Sequence, residues 1–226
     1  VNGENNRDGN DANWSWNSGA EGETDDAEVL INRNLRTKAM LATLLLSFGT
    51  PMLVAGDEFG NTQFGNNNPY CQDNVLTWIV WDAIRQEDRD LVRYVRKLIQ
   101  LRQKMQVFER KKFFNGKINE RYARYNIKDI MWFSEQGKEF ENNDWYLEDR
   151  KSLSYFIYGE NCSFFLIYNA NAQPLVWQLP DFVKKTKITL IFDSSEQLKP
   201  ETPIVKDELD IPAWSVWVLE LRKPEK

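Results

Sequence analysis

The chain has 226 residues, 42% apolar and 13% aromatic, with 29 basic against 34 acidic side chains and a net charge of −5. That length suits one large domain or two of ordinary size, and interspersed charges without a basic stripe argue against a nucleic-acid partner. Histidine is absent, which excludes a Ser–His or Cys–His nucleophile pair and most zinc sites, so any proton chemistry falls to Asp, Glu, Lys or Tyr.

The sequence starts at Val1, its first methionine is Met40, and no signal-peptide pattern precedes the first element. It reads as a fragment or processed product of something longer. Residues 1–28 are rich in Asn, Asp, Gly and Glu, with Trp14 and Trp16 as the large apolar groups. They read as a loop, either functional or a frayed end. From Val29 to Phe48 the pattern predicts a helix, with Asp25 and Asp26 ahead of it and Arg33, Arg36 and Lys38 on its polar side. Ala39–Leu46 is apolar nearly all round, which predicts packing on more than one side. Gly49 fits a C-terminal cap and Pro51 a stop. Met52–Ala55 is short, apolar and ended by Gly56, the pattern of a strand buried on both faces in a parallel sheet. Such a strand needs neighbours, expected upstream of Val1.

Residues 56–87 are a long connection whose apolar island is Thr77–Asp82. Asp88 is placed to cap a second helix, in which Leu91, Tyr94, Val95, Leu98, Leu101 and Met105 form an amphipathic stripe. Beyond residue 110 the texture changes to short strand-like runs: Asp129–Ser134, Lys151–Tyr158, Cys162–Asn169, Leu175–Leu179, Lys187–Phe192 and Ser215–Leu221. Gly159-Glu160-Asn161 fits a hairpin turn, and Pro180, Pro200, Pro203 and Pro212 punctuate the rest, which together predict a β-sandwich. Two domains are expected, 1–110 and 111–226. The longest apolar run, Ala39–Leu46, falls far short of the roughly 20 residues a membrane span needs, so no membrane partner is expected. Cys71 and Cys162 lie in unrelated contexts. Free thiols in a reducing, cytoplasmic compartment are the default reading, with a disulfide left open.

Chemistry concentrates at Gly56-Asp57-Glu58. In barrels and open α/β sheets, ligands bind beyond the C-terminal ends of parallel strands, which is where this trio falls. Two adjacent carboxylates need donors; Arg7, Arg33, Asn66, Asn67 and Asn68 are candidates, and sugar hydroxyls serve equally well. Two competing readings stand beside substrate contact. One is a structural cap or loop anchor; the other is a calcium site built from Asp57, Glu58, Asp73 and loop carbonyls.

NGENNRDG (Asn2–Gly9), LATLLLSFGTPML (Leu41–Leu53), AGDE (Ala55–Glu58) and GNNNPYCQDN (Gly65–Asn74), followed by LTWIVWD (Leu76–Asp82), together resemble bacterial glycogen debranching enzymes of the isoamylase type, in the α-amylase clan of glycoside hydrolases. The resemblance is dense across residues 1–105 and looser beyond. It implies an α+β chain: the last helices and eighth strand of a (β/α)8 barrel, then an all-β terminal sandwich. It also implies a hydrolase of α-1,6 branch linkages in glycogen or limit dextrin, needing no cofactor. The clan's retaining mechanism uses a nucleophile, an acid and a supporting Asp, on segments with no counterpart here. No catalytic residue is therefore assigned, and the chain alone is expected to be inactive. What the resemblance does assign is a substrate wall of Glu4, Asn5, Arg7, Asp8, Asp57, Glu58, Asn66, Asn67, Asn68, Tyr70, Gln72 and Asp73.

This sequence carries Phe59 and Phe64 where many relatives have His, which replaces a polar edge with an apolar one. Two other functions are kept beside the hydrolase: a non-catalytic carbohydrate-binding or structural module, and part of a glucan branching transferase. For the module, Trp132, Trp145, Trp177, Trp214 and Trp217 are the aromatic candidates. Trp214 and Trp217 face opposite ways if both lie in one strand, and Trp145, in a polar stretch, is the expected exposed stacker.

Overall fold

The computed structural model describes residues 14–66, 68–110, 112–118, 126–159 and 162–222. Two long helices open the fold. Helix α1 spans Ala27–Leu45, and Asp26 caps it, its Oδ1 accepting from the N–H groups of Glu28 (2.9 Å) and Val29 (3.2 Å). The cap lets the helix begin before its apolar pattern does. Only one side of it is covered among the described residues: Leu41, Ala42, Leu45 and Leu46 are buried, while Leu30, Ile31 and Met40 are exposed. That corrects the expectation of packing on more than one side. Leu46 is the C-cap of the helix, and Gly49 (φ 116°) lies three residues past it.

Helix α2 spans Gln86–Lys104, with Arg85 as its cap. Asp88 sits inside the first turn, where its Oδ2 accepts from the Arg85 N–H at 2.9 Å and from its guanidinium. Burial works against the Asp88 charge, but the hydrogen bonds and charge of Arg85 outweigh it and hold the carboxyl below its usual range. The predicted stripe is the buried one: Tyr94, Val95 and Leu98 face the core, with Met105 just beyond.

The rest is antiparallel β. Strands β1 (Ile130–Phe133), β2 (Ser152–Ile157), β3 (Ser163–Asn169), β5 (Lys187–Asp193), β6 (Thr202–Ile204) and β8 (Ser215–Arg222) form one sheet in the order β1-β2-β3-β8-β5-β6. Strands β4 (Leu175–Gln178) and β7 (Glu208–Ile211) pair separately, and a short helix, α3 (Asp181–Lys184), follows β4. The six-stranded sheet is covered on both sides. One face, with Tyr155, Ile157, Phe164, Leu166, Val216 and Val218, shares a core with Leu41, Leu45 and Leu98 of the long helices. The other, with Phe156, Phe165, Ile167, Trp217 and Leu219, packs on Trp177, Val183, Leu209 and Ile211. Strand side chains alternate between faces. Burial of both faces is why SFFLIYN and SVWVLELR read as continuous apolar runs and not as alternations.

Buried phenols tie the layers together. Tyr155 Oη donates to the Leu46 carbonyl at 2.9 Å and lies 3.1 Å from the Tyr168 hydroxyl; Tyr94 Oη donates to the Lys38 carbonyl at 2.9 Å. Burial pushes Tyr155 up to about 12 and raises Tyr94 and Tyr168 as well. An unfolded tyrosine ionises near pH 10. The stability these neutral phenols contribute is therefore complete below about pH 10 and lost as pH rises through their raised native values. Tyr155 alone accounts for about 3 kcal/mol across that interval. Urea midpoints followed by circular dichroism should be flat to about pH 9 and fall steeply above pH 10, with a shallower fall in Tyr155→Phe. A midpoint constant to pH 12 contradicts this.

Candidate functional site: the acidic turn and the amide loop

Leaving α1, the chain passes Pro51 and enters Met52–Ala55, which forms no helix and joins no sheet. Met52 is 83% exposed and Val54 66% exposed, so the expected burial on both faces is not found. A ladder needs a partner, and no strand lies alongside among the described residues. The segment delivers the chain to Gly56, whose φ of 104° and ψ of −25° reverse its direction. Asp57–Phe59 then makes one helical turn, closed by Gly60 at φ 73°. Phe59 is buried against Trp81, with ring centroids 5.6 Å apart, and anchors the turn.

The two carboxylates have different fates. Glu58 bends back so that its Oε2 accepts from the Gly56 N–H at 2.8 Å, which makes it the structural anchor of the turn. Asp57 is exposed, and its side chain makes no hydrogen bond among the described residues. Arg33, a candidate donor, faces elsewhere: its guanidinium reaches the carbonyls of Asn17, Ala20 and Gly22 at 2.6–3.2 Å.

The loop beyond is built on its own amides. Asn66 Oδ1 accepts from the Asn68 N–H at 2.9 Å. Gln72 Oε1 accepts from Asn74 Nδ2 at 3.2 Å, and its carbonyl from the Thr77 hydroxyl at 2.6 Å. Asp73 Oδ1 accepts from the Trp78 indole N–H at 2.8 Å. Tyr70 is 78% exposed. Of the described candidates, Asp57 and Tyr70 thus present open side chains, while Glu58, Asn66, Gln72 and Asp73 shape the surface. Glu4, Asn5, Arg7, Asp8 and Asn67 lie outside the described residues.

Sequence reasoning gave Trp78 and Trp81 no site role; with Phe64, the expected apolar edge, they expose their rings on this loop. An aromatic cluster within a run of amides was the available signal. Among the described residues no group of three or more His, Cys, Asp or Glu is placed to hold a metal, so Asp57, Glu58 and Asp73 make no calcium site there. Cys71 and Cys162 are free thiols, and no described helix is long and apolar enough to cross a membrane.

No family model matches the chain. Its sequence is 36% identical over 234 aligned residues to the glycogen operon protein GlgX homolog of Mycobacterium bovis, covering 97% of this chain and 32% of that protein. It is 42% identical over 145 residues to the glycogen debranching enzyme of Dickeya chrysanthemi, covering 64% of this chain and 20% of that one. The chain therefore spans about a third or less of the length of these relatives. Among solved structures, the pullulanase SAP of GBS, in complex with maltotetraose, superposes with a TM-score of 0.61 at 16% identity, over 86% of this chain and 28% of that one. The α-amylase of Geobacillus thermoleovorans, complexed with acarbose, gives 0.54 at 16% identity, over 88% and 36%. Helices followed by an antiparallel β-domain are the shared fold, an α+β arrangement as expected. By sequence, with the fold in agreement, the chain is similar to a part of the GlgX homolog and of glycogen debranching enzymes.

Proposed function

We propose that this chain serves the hydrolysis of α-1,6 branch linkages in glycogen or limit dextrin, with the acidic turn and amide loop as one wall of the glucan groove. In this reading residues 1–110 are the end of a catalytic (β/α)8 barrel and 111–226 its terminal sandwich, acting in the cytoplasm. The observation that carries it is Asp57: an exposed carboxylate with no side-chain partner among the described residues, on a glycine-reversed turn whose Phe59 packs on the exposed ring of Trp81. That combination matches a sugar, whose hydroxyls need charged acceptors and whose ring faces need flat apolar surfaces. Glu4, Asn5, Arg7, Asp8, Asn67 and Asn68 complete the proposed wall. The names of the sequence relatives and the fold shared with a pullulanase support the choice of linkage.

The test uses the full gene product. It should release reducing ends from limit dextrin, and Asp57→Ala should lower kcat/KM about tenfold or more, the loss of one charge-assisted hydrogen bond. Because Asp57 is exposed, the unfolding midpoint should stay put. Chain transfer with no gain of reducing ends would place the protein among branching transferases, and activity on α-1,4 linkages alone would sink the reading. This chain by itself should bind branched glucan and cleave nothing.

A further inference from the structure

The C-terminal sheet carries a second aromatic surface that the acidic turn does not explain. Trp145 lies in a helical turn, Asn142–Tyr146, fixed by Asp144 Oδ2 accepting from the Glu141 N–H at 2.9 Å. Its indole is held edge-on by Trp132 (5.4 Å, 74°) and Phe140 (5.1 Å, 80°). Trp132 is in turn packed on Tyr155 of the core at 4.9 Å. These contacts immobilise the ring, yet 52% of Trp145 remains exposed, and Tyr146 beside it is 83% exposed. Core packing accounts for Trp132 and Phe140 but not for the open half of Trp145.

Arg150 joins this ring system to a cleft. Its guanidinium stacks on Phe140 at 4.4 Å, pairs with Asp144 at 3.0 Å and Glu135 at 3.6 Å, and forms part of the wall of a cavity of about 370 Å³. The other polar walls include Glu148, Lys151 and Asn171. Glu135, Glu148 and Asp149 line it with Arg150 and Lys151, and Glu135 and Arg150 are already paired, so the cleft has little to attract an anion. A preoriented indole joined through Phe140 and Arg150 to a cleft of hydroxyl-binding groups fits a neutral polyol chain: stacking takes the apolar ring face, and the carboxylates and amide take the hydroxyls.

We infer that Trp145 and the Glu135–Arg150 cleft form a second, non-catalytic glucan-binding site, which holds the polymer while the groove acts on a branch. The choice of glucan rests on the function proposed above. Tethering of this kind raises the local concentration of polymer without touching chemistry. It should matter for large substrates and not for small ones.

The experiment compares glycogen with a short branched maltooligosaccharide, using the full gene product and electrophoresis through glycogen-containing gels. Trp145→Ala should abolish most of the retardation and raise KM for glycogen about five- to tenfold, with kcat and the short substrate unchanged. Trp145→Phe keeps a stacking face and the edge contacts and should retain most of the retardation, which separates binding from folding. Unchanged mobility and KM in Trp145→Ala overturn the site while leaving the hydrolase reading intact. A protein that cleaves neither substrate fails the earlier proposal, and a wild-type protein that is not retarded fails this one.

Discussion

Replacing Arg102 with alanine should destabilise the fold by about 3 kcal/mol, equivalent to roughly 6–12 °C for a chain of this size. Arg102 lies on α2, but its guanidinium reaches across to the end of α1. It donates to the carbonyls of Leu45 and Ser47, each at 2.7 Å, and to that of Gly49. The last carbonyls of a helix have no internal partners, and α1 has no basic residue in its own last turn. Arg102 supplies the missing donors and a positive charge at the negative end of the helix dipole. Burial lowers its pKa, yet a guanidinium stays charged at any physiological pH. Its stem and head also cover Phe108, at 4.8 Å from the ring centroid. Three charged hydrogen bonds at face value exceed 3 kcal/mol; part of the group is exposed to water, which reduces the sum. Arg102→Lys places a single ammonium where a fork served three carbonyls and should recover no more than half the loss. Urea unfolding of both variants checks the ranking. Arg102→Ala within about 0.5 kcal/mol of wild type would show that water satisfies these carbonyls as well as arginine does.

The same residue shows what a sequence does and does not display. The stripe from Leu91 to Met105 marks α2 by its spacing, and Arg102 falls on its flank as one more surface cation. Its partners lie more than 50 residues away, and nothing local announces them. Arg33 and Arg36 behave alike. Placed by the sequence on the polar side of α1, they are clamps: Arg33 on the carbonyls of Asn17, Ala20 and Gly22, Arg36 on Trp16, Ser18 and the ring of Trp214. Residues 16–22 are thereby tied down, which a frayed end is not. Long, doubly covered strands were legible because their apolar runs are unbroken. β6 and β7 were not: β6 is three residues with Pro203 at its centre, tolerated because it is an edge strand, and β7 alternates over only four. Trp217 is core. Trp214 lies outside β8 with φ 50° and packs on Trp16 at 5.9 Å, so the two never share a strand. At the site, the sequence marks Asp57 and Glu58 equally. Only the 2.8 Å contact to the Gly56 N–H tells the anchor from the open carboxylate.

Gly56→Ala is the second large effect, and it falls on function. A φ of 104° with ψ of −25° belongs to glycine, and a Cβ built there lies 2.7 Å from the Cβ of Asn61. The strain and the overlap together amount to about 2–4 kcal/mol, enough to push the backbone back to negative φ. That move breaks the hydrogen bonds that the Gly56 carbonyl accepts from Phe59 (3.1 Å) and Asn61 (3.0 Å), frees Glu58, and swings Asp57 off its present direction. The six-stranded sheet and its two cores lie outside this turn, so the far-ultraviolet spectrum should be retained. Activity should not be: in the full gene product kcat/KM on limit dextrin should fall about as far as in Asp57→Ala, about tenfold or more, because the turn that aims Asp57 is itself displaced. Asn61→Gly in the Gly56→Ala background removes the overlap but leaves the dihedral strain. It should restore part of the stability and little of the activity, which separates the two causes. Were Gly56→Ala to hydrolyse limit dextrin within twofold of wild type, the direction of Asp57 would be irrelevant to the substrate, and the acidic turn would be scaffold alone.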